Sequence, residues 1–171
     1  MIWFNEKYIL LEDELEYIEH YRYIIHCKYE SKIGIDINVP SELLKCYIPK
    51  MLVQPIMENA VIHGVAPMLD NGMVWLTASK EEDYLVLKIE DNGIGMRSDI
   101  LRNVRKNAHE QQTSSINASQ SMVSHQMAIK NIQNRLNILY GQNYSFEIDS
   151  KVYGGTCVSF RIPFQTKEDS L

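Results

Sequence analysis

Leu85-Val86-Leu87-Lys88-Ile89-Glu90-Asp91-Asn92-Gly93-Ile94-Gly95-Met96 is the stretch that decides the fold. Its hydrophobic run, Leu85 to Ile89, reads as a strand, and the strand delivers one carboxylate, Asp91, into a glycine-rich turn. Upstream, Glu58-Asn59-Ala60-Val61-Ile62-His63-Gly64 reads as the end of a helix, with Gly64 a natural stop. A strand-borne carboxylate and a helix-borne amide, carried on separate elements, are the two groups around which the other segments arrange themselves.

Residues 10–30 place Leu11, Leu15, Ile18, Ile25 and Tyr29 at three- and four-residue steps, which predicts a helix. Its heptad-like spacing suits either a dimer coiled coil or packing against the chain's own sheet. At 33–39 the period changes to two, with Ile33, Ile35, Ile37 and Val39 alternating with smaller or polar residues. That is a half-buried strand, closed by Pro40 and Ser41. A second helix is expected from Pro49 to Gly64, with Pro55 inside it bending it or costing a hydrogen bond. Residues 74–78 and 84–90 form a hairpin over 81–83, and 97–108 a short helix. Residues 109–124 are mostly Gln, Ser, Asn and Thr and read as a mobile lid. A helix at 125–140 ends at Gly141, and a last hairpin joins 144–150 to 156–163 through Tyr153-Gly154-Gly155. Strands returning by hairpins, with helices between the pairs, predict an α+β fold: a two-layer sandwich of a mixed sheet with helices on one face.

Length and charge exclude several classes. A chain of 171 residues suits one folded domain with an adequate core. A formal net charge of −5 argues against a nucleic-acid surface. Cys27, Cys46 and Cys157 are odd in number and widely spaced, and they read as reduced thiols rather than as a metal or disulfide framework. No run reaches the roughly 18 apolar residues of a membrane span, and residues 1–11 already carry Glu6 and Lys7, unlike a signal peptide.

A carboxylate at a strand end can accept a hydrogen bond from an exocyclic amine such as adenine's, and Gly93 and Gly95 let backbone approach a planar base. The same Asp-Asn-Gly tripeptide also makes a plain turn. Asn59 offers an amide oxygen to Mg²⁺, which takes the rest of its shell from phosphates and water; an exposed helix face would use it equally well. Glu58 points about 100° away from Asn59 around the helix. It either polarises a water or the acceptor, as a catalytic group would, or pairs with a surface cation. His63, four residues after Asn59, shares that face and could donate to phosphates, or it is simply structural. No second His or Cys stands at ligand spacing for a catalytic metal cluster.

Taken together, the motifs resemble the nucleotide-binding domain of sensor histidine kinases, within the ATPases that include gyrase and Hsp90, and most of all the LytS/YesM-type kinases. The resemblance spans about Leu11 to Pro163. It rests on Leu11-Glu12-Asp13-Glu14-Leu15, Ile48-Pro49, Gln54 to Ala60 with His63-Gly64, Asp91 to Gly95, Asn131, Arg135-Leu136, Tyr140-Gly141 and Gly155-Thr156. It implies a Bergerat-type fold with an ATP pocket between helices and sheet. Asn59 would hold Mg²⁺, Asp91 would bind the adenine amine, Gly93 and Gly95 would shape the pocket, and Thr156 would support the base. It implies residues 1–31 as the end of a dimerisation region and linker helix, and 32–171 as the ATP-binding catalytic domain with its lid at 109–124.

The implied function is transfer of the ATP phosphoryl group to a histidine outside this fragment, and thence to a response regulator's receiver domain. The implied partners are that domain and the protein's own dimerisation and phospho-acceptor helices, in a homodimer. The implied setting is a cytoplasmic domain of a membrane-anchored bacterial sensor; the fragment itself does not enter the membrane, and nucleic acid is not a partner. Three departures bear on this. Gln126 and Ala128 stand where the family carries glycines whose backbone N–H groups reach phosphate at a helix start. Ile62 stands where Lys is usual, leaving Lys130 or Arg97 as replacement cations for ATP. None of His20, His26, His63, His109 or His125 sits in a phospho-acceptor context. A degenerate nucleotide-binding or dimerisation module is the alternative, and an anti-sigma-type serine kinase shares the fold.

Overall fold

The computed structural model describes residues 7–68, 71–106 and 120–166, with side chains from 128 onward in the last segment. A short strand β1 (Tyr8–Leu10) leads into α1 (Leu11–Lys28), followed by β2 (Ile33–Asn38), a 3₁₀ turn (Ser41–Leu43) and β3 (Tyr47–Pro49). Helix α2 (Gln54–Asn59) continues into a wider π turn (Ala60–Val65). Then come β4 (Gly72–Glu81), β5 (Tyr84–Asp91), α3 (Ser98–Lys106), α4 (Gln120–Tyr140), β6 (Ser145–Ser150) and β7 (Thr156–Pro163).

Five strands form one mixed sheet in the order β2-β4-β5-β7-β6. β2 runs parallel to β4, and the other neighbours are antiparallel. On β5 the alternation is strict: Leu85, Leu87, Ile89 and Asp91 are buried, while the residues between them are half-buried. Across the ladder Leu87 faces Phe160, Ile89 faces Val158 and Asp91 faces Thr156. The period-2 pattern that buries three aliphatic side chains therefore carries Asp91 onto the same covered face. Helix α1 packs there too, through Leu11, Leu15, Ile18 and Ile25, all buried in the common core. Core packing, not a coiled-coil seam, is how this stripe is used. All three cysteines are free.

Three boundaries differ from expectation. Pro49 does not open a helix; it ends β3, opposite Tyr8 in a two-stranded ribbon with β1. The helix starts at Gln54, so Pro55 lies in its first turn, where the missing N–H has no partner to lose, and it bends nothing. The helix also does not stay α-helical to Gly64: from Ala60 it widens, and Ala66 N donates to Val61 O at 2.8 Å. Finally, α4 begins at Gln120, so 120–124 of the expected lid are helical; the segment contains neither Gly nor Pro to stop a helix. The rest of that lid, 109–119, lies outside the described residues.

Candidate functional site

A cavity of about 560 Å³ opens between the π turn and the ends of β5 and β7. Asn59, His63, Asp91, Gly95 and Thr156 line it, together with Ile62, Met96, Arg97 and Ile129. A volume of that size suits a drug-sized organic ligand.

Asp91 forms its deep polar point. The residue is buried, and its Oδ1 accepts from Gly93 N at 2.8 Å. Burial pushes the carboxyl up to about 6, and backbone hydrogen bonds from Gly93 and Thr156 work against that rise. Thr156 stands opposite on β7, its hydroxyl 3.0 Å from that of Ser150.

The two motifs that frame the cavity touch each other. Ile94 N donates to Gly64 O at 2.9 Å. A Cβ on Gly93 would come within 2.2 Å of the Gly64 carbonyl carbon and oxygen, so only glycine allows this approach. Gly93 thus shapes the pocket from behind its wall. Gly95 has φ +63°, and a Cβ there would meet Lys151 O at 1.9 Å, so both the conformation and the space demand glycine.

On the helix side, Asn59 faces the cavity, and its Nδ2 is buried with no partner among the described residues. That nitrogen is a donor and lacks an acceptor, which a phosphate or water oxygen in the cavity would supply, while the amide oxygen is the atom that a metal would use. Among the described residues, no group of three or more His, Cys, Asp and Glu side chains could hold a metal. A metal here would therefore have one amide oxygen from the protein and take its other ligands from phosphate and water, which is how Mg²⁺ binds. The residues fit that ion. His63 lies on the same wall; burial holds its imidazole below the usual range, so it brings hydrogen bonding rather than charge at neutral pH.

Other candidate residues stand elsewhere. Glu58 is turned away from the cavity: its Oε1 accepts from Tyr17 OH and Gln54 Nε2, each at 2.9 Å. Lys130 is half-buried on α4 and is not part of the cavity wall. Arg97 does line it, but its guanidinium bridges to Asp99 at 3.1 Å. Ala128 and Gln126 lie well inside α4 rather than at a helix start, beyond the first four N–H groups that a helix leaves unpaired.

Residue-by-residue reading overlooked Glu14. It is 4% exposed, and its Oε1 accepts from Val53 N at 2.7 Å and Gln54 N at 3.0 Å, at the start of α2. A signal was present: Glu14 sits three residues after Leu11 and four before Ile18, on the apolar stripe of its helix. Arg135 was noted without a role; its Nη2 donates to Met51 O at 2.5 Å.

The family described as histidine kinase-, DNA gyrase B- and HSP90-like ATPase matches residues 48–166, more than half of the chain. The chain belongs to this family. Similar proteins include the sensor histidine kinase BtsS of Escherichia coli, 37% identical over 50% of this chain and 15% of its own length. The sensor protein LytS of Bacillus subtilis is 28% identical over 94% of this chain and 26% of its own. The sensor histidine kinase YesM of the same organism is 24% identical over 91% and 24%. The chain thus spans a quarter or so, or less, of these relatives. Among solved structures, the catalytic domain of the histidine kinase ThkA matches with a TM-score of 0.62 at 13% identity, covering 95% of this chain and 97% of that one. The Erythrobacter litoralis blue-light activated histidine kinase domain matches with a TM-score of 0.57 at 18% identity, covering 91% and 61%. At such identities these likenesses concern the fold, and the expected fold of a mixed sheet with helices is the one found. As a member of the ATPase family, the domain has its cavity where the matched segment folds.

Proposed function

We propose that this domain binds ATP with Mg²⁺ and serves as the catalytic domain of a two-component sensor histidine kinase. It would present the terminal phosphoryl group to a histidine outside these residues, from which it passes to an aspartate of a response regulator. One observation carries the reading: a single cavity has a buried carboxylate on its sheet side and a partnerless buried amide on its helix side. Asp91 would accept the adenine amine, with Thr156 supporting the base and Gly93 and Gly95 keeping the floor flat. Asn59 would hold Mg²⁺, which neutralises phosphate charge when bound. His63 would donate to a phosphate oxygen. Lys130 would act only from outside the wall, and Glu58 would steady the helix beside Asn59 rather than touch the reacting atoms.

In this reading residues 1–31 belong to a linker from the dimerisation region and 32–171 to the ATP-binding unit, within a homodimeric, membrane-anchored bacterial sensor whose kinase part is cytoplasmic. No described helix is long and apolar enough to cross a membrane. Catalysis by this chain would consist of positioning and charge neutralisation, the nucleophile coming from elsewhere. The test is to supply the domain with a histidine-bearing dimerisation segment of a kinase of this type and terminally labelled ATP. Acid-labile, base-stable label on the added segment is expected. Bound ATP with no phosphohistidine would reduce the domain to a binding module.

A further inference from the structure

No residue of α1 lines the cavity, yet α1 grips the helix that carries Asn59. The first turn of α2 has no cap of its own, because Val53 stands at the capping position. Glu14 supplies the cap from α1, accepting from both Val53 N and Gln54 N. One turn further along α1, Tyr17 OH donates to Glu58, the residue next to Asn59. Gln54 Nε2 donates to the same carboxylate oxygen and closes a ring of contacts between the two helices. Arg135 of α4 joins the junction: it bonds to Met51 O just ahead of α2; burial raises the Glu14 carboxyl, and the backbone N–H groups and then the Arg135 charge work against that rise.

Asp91 takes no part in these contacts. It is held by β5, by its neighbours Val74 and Thr156 across the ladder, and by Gly93 N; of the helix side, the far end of the π turn at Gly64 packs against it. We propose that Glu14 and Tyr17 are positioning residues through which α1 sets the place of Asn59, while the register of the sheet sets Asp91. Removing the Glu14 carboxylate leaves two backbone N–H groups unpaired, one of them on the fully buried Val53. The start of α2 then shifts to find partners, and Asn59 moves with it. By the same route a movement of α1 reaches the metal side of the cavity and spares the base side.

The inference rests on the roles proposed for Asn59 and Asp91. Its test compares dissociation constants for adenosine, for ATP without metal and for Mg²⁺–ATP in the native domain and in Glu14→Ala, Glu14→Gln, Tyr17→Phe and Asn59→Ala, with thermal melts confirming folding. Glu14→Ala should lose roughly tenfold in Mg²⁺–ATP affinity, as for backbone N–H groups left buried and unpaired, with adenosine nearly unchanged. Glu14→Gln keeps an acceptor oxygen and should recover most of the loss, and Tyr17→Phe should lose a few-fold, again only with Mg²⁺–ATP. If Asn59→Ala shows the metal-dependent loss and folded Glu14→Ala loses both ligands equally or neither, the positioning role is wrong while the site stands. If Glu14→Ala does not fold, Tyr17→Phe decides, and an unchanged Mg²⁺–ATP affinity overturns the proposal. If Asn59→Ala has no metal-dependent effect, the reading of Asn59 fails and takes this inference with it.

Discussion

The two walls of the cavity are built differently. On the sheet side, Asp91 is fixed by strand register, by a backbone N–H from Gly93 and by glycines whose replacement would drive a Cβ into backbone. On the helix side, Asn59 sits where an α-helix widens into a π turn, with a buried amide nitrogen left unpartnered. Irregular turns of this kind are frequent at functional sites. One wall has its polar atoms paired before any ligand arrives, and the other has a donor left for an acceptor in the cavity. If ATP is that ligand, base recognition is preorganised, and the phosphate end is assembled on binding.

Breaking the sheet side should give the largest effect. Asp91→Ala removes the acceptor proposed for an exocyclic amine and should weaken ATP, ADP and adenosine alike by about 1.5–3 kcal/mol. Calorimetry on the three ligands checks this; a loss confined to ATP would place Asp91 at the phosphates instead.

Acid should weaken the same wall without mutation. The Asp91 carboxyl, pushed up to about 6 by burial, is ionised above that pH and protonated below it. Adenosine affinity should be complete above about pH 6 and fall roughly tenfold per unit well below it, since base binding favours the ionised acceptor. Stability moves the other way. A folded-state value above the ordinary carboxylate range means that the empty domain gains stability from this group as pH falls from about 6 toward 4. Melts with and without adenosine across that range should therefore converge, and Asp91→Asn should remove both trends. Adenosine affinity that is flat from pH 7.5 to 5 would contradict the assignment.

Helix α4 should respond least. Gln126 and Ala128 lie inside α4, so their N–H groups are already in the helix ladder. Changing both to glycine should cost up to about 1 kcal/mol of stability per residue. The ATP-over-adenosine preference should then change by less than about 1 kcal/mol, unless the turn unwinds to meet phosphate. A large gain in that preference would mean that the first turns of α4 rearrange when ATP binds.

How much of this was readable from the chain differs by element. Asp91 was legible because Leu85, Leu87 and Ile89 establish a buried face two residues at a time and 91 continues it. The mixed sheet followed from the same periodicity. Strand β3 was not legible, because three residues ending in proline carry no alternation to detect, and only pairing with Tyr8–Leu10 makes them a strand. The π turn was hidden because it spans only Ala60–Val65, too few residues for a change of period to show. The Tyr17–Glu58 bond joins residues 41 positions apart, and no local pattern announces it. Glu58 pointing away from Asn59 followed from helix geometry, but what it meets depended on where α1 packs.

The central claim is that Asp91 reads an adenine amine. Titrating the native domain with Mg²⁺–ATP and with Mg²⁺–GTP tests it most directly, because guanine presents a carbonyl where adenine presents its amine, and a buried carboxylate facing that carbonyl is left without a donor. ATP should bind at least tenfold more tightly than GTP, the margin expected from an unpaired buried charge. Equal affinities for the two nucleotides would contradict the account.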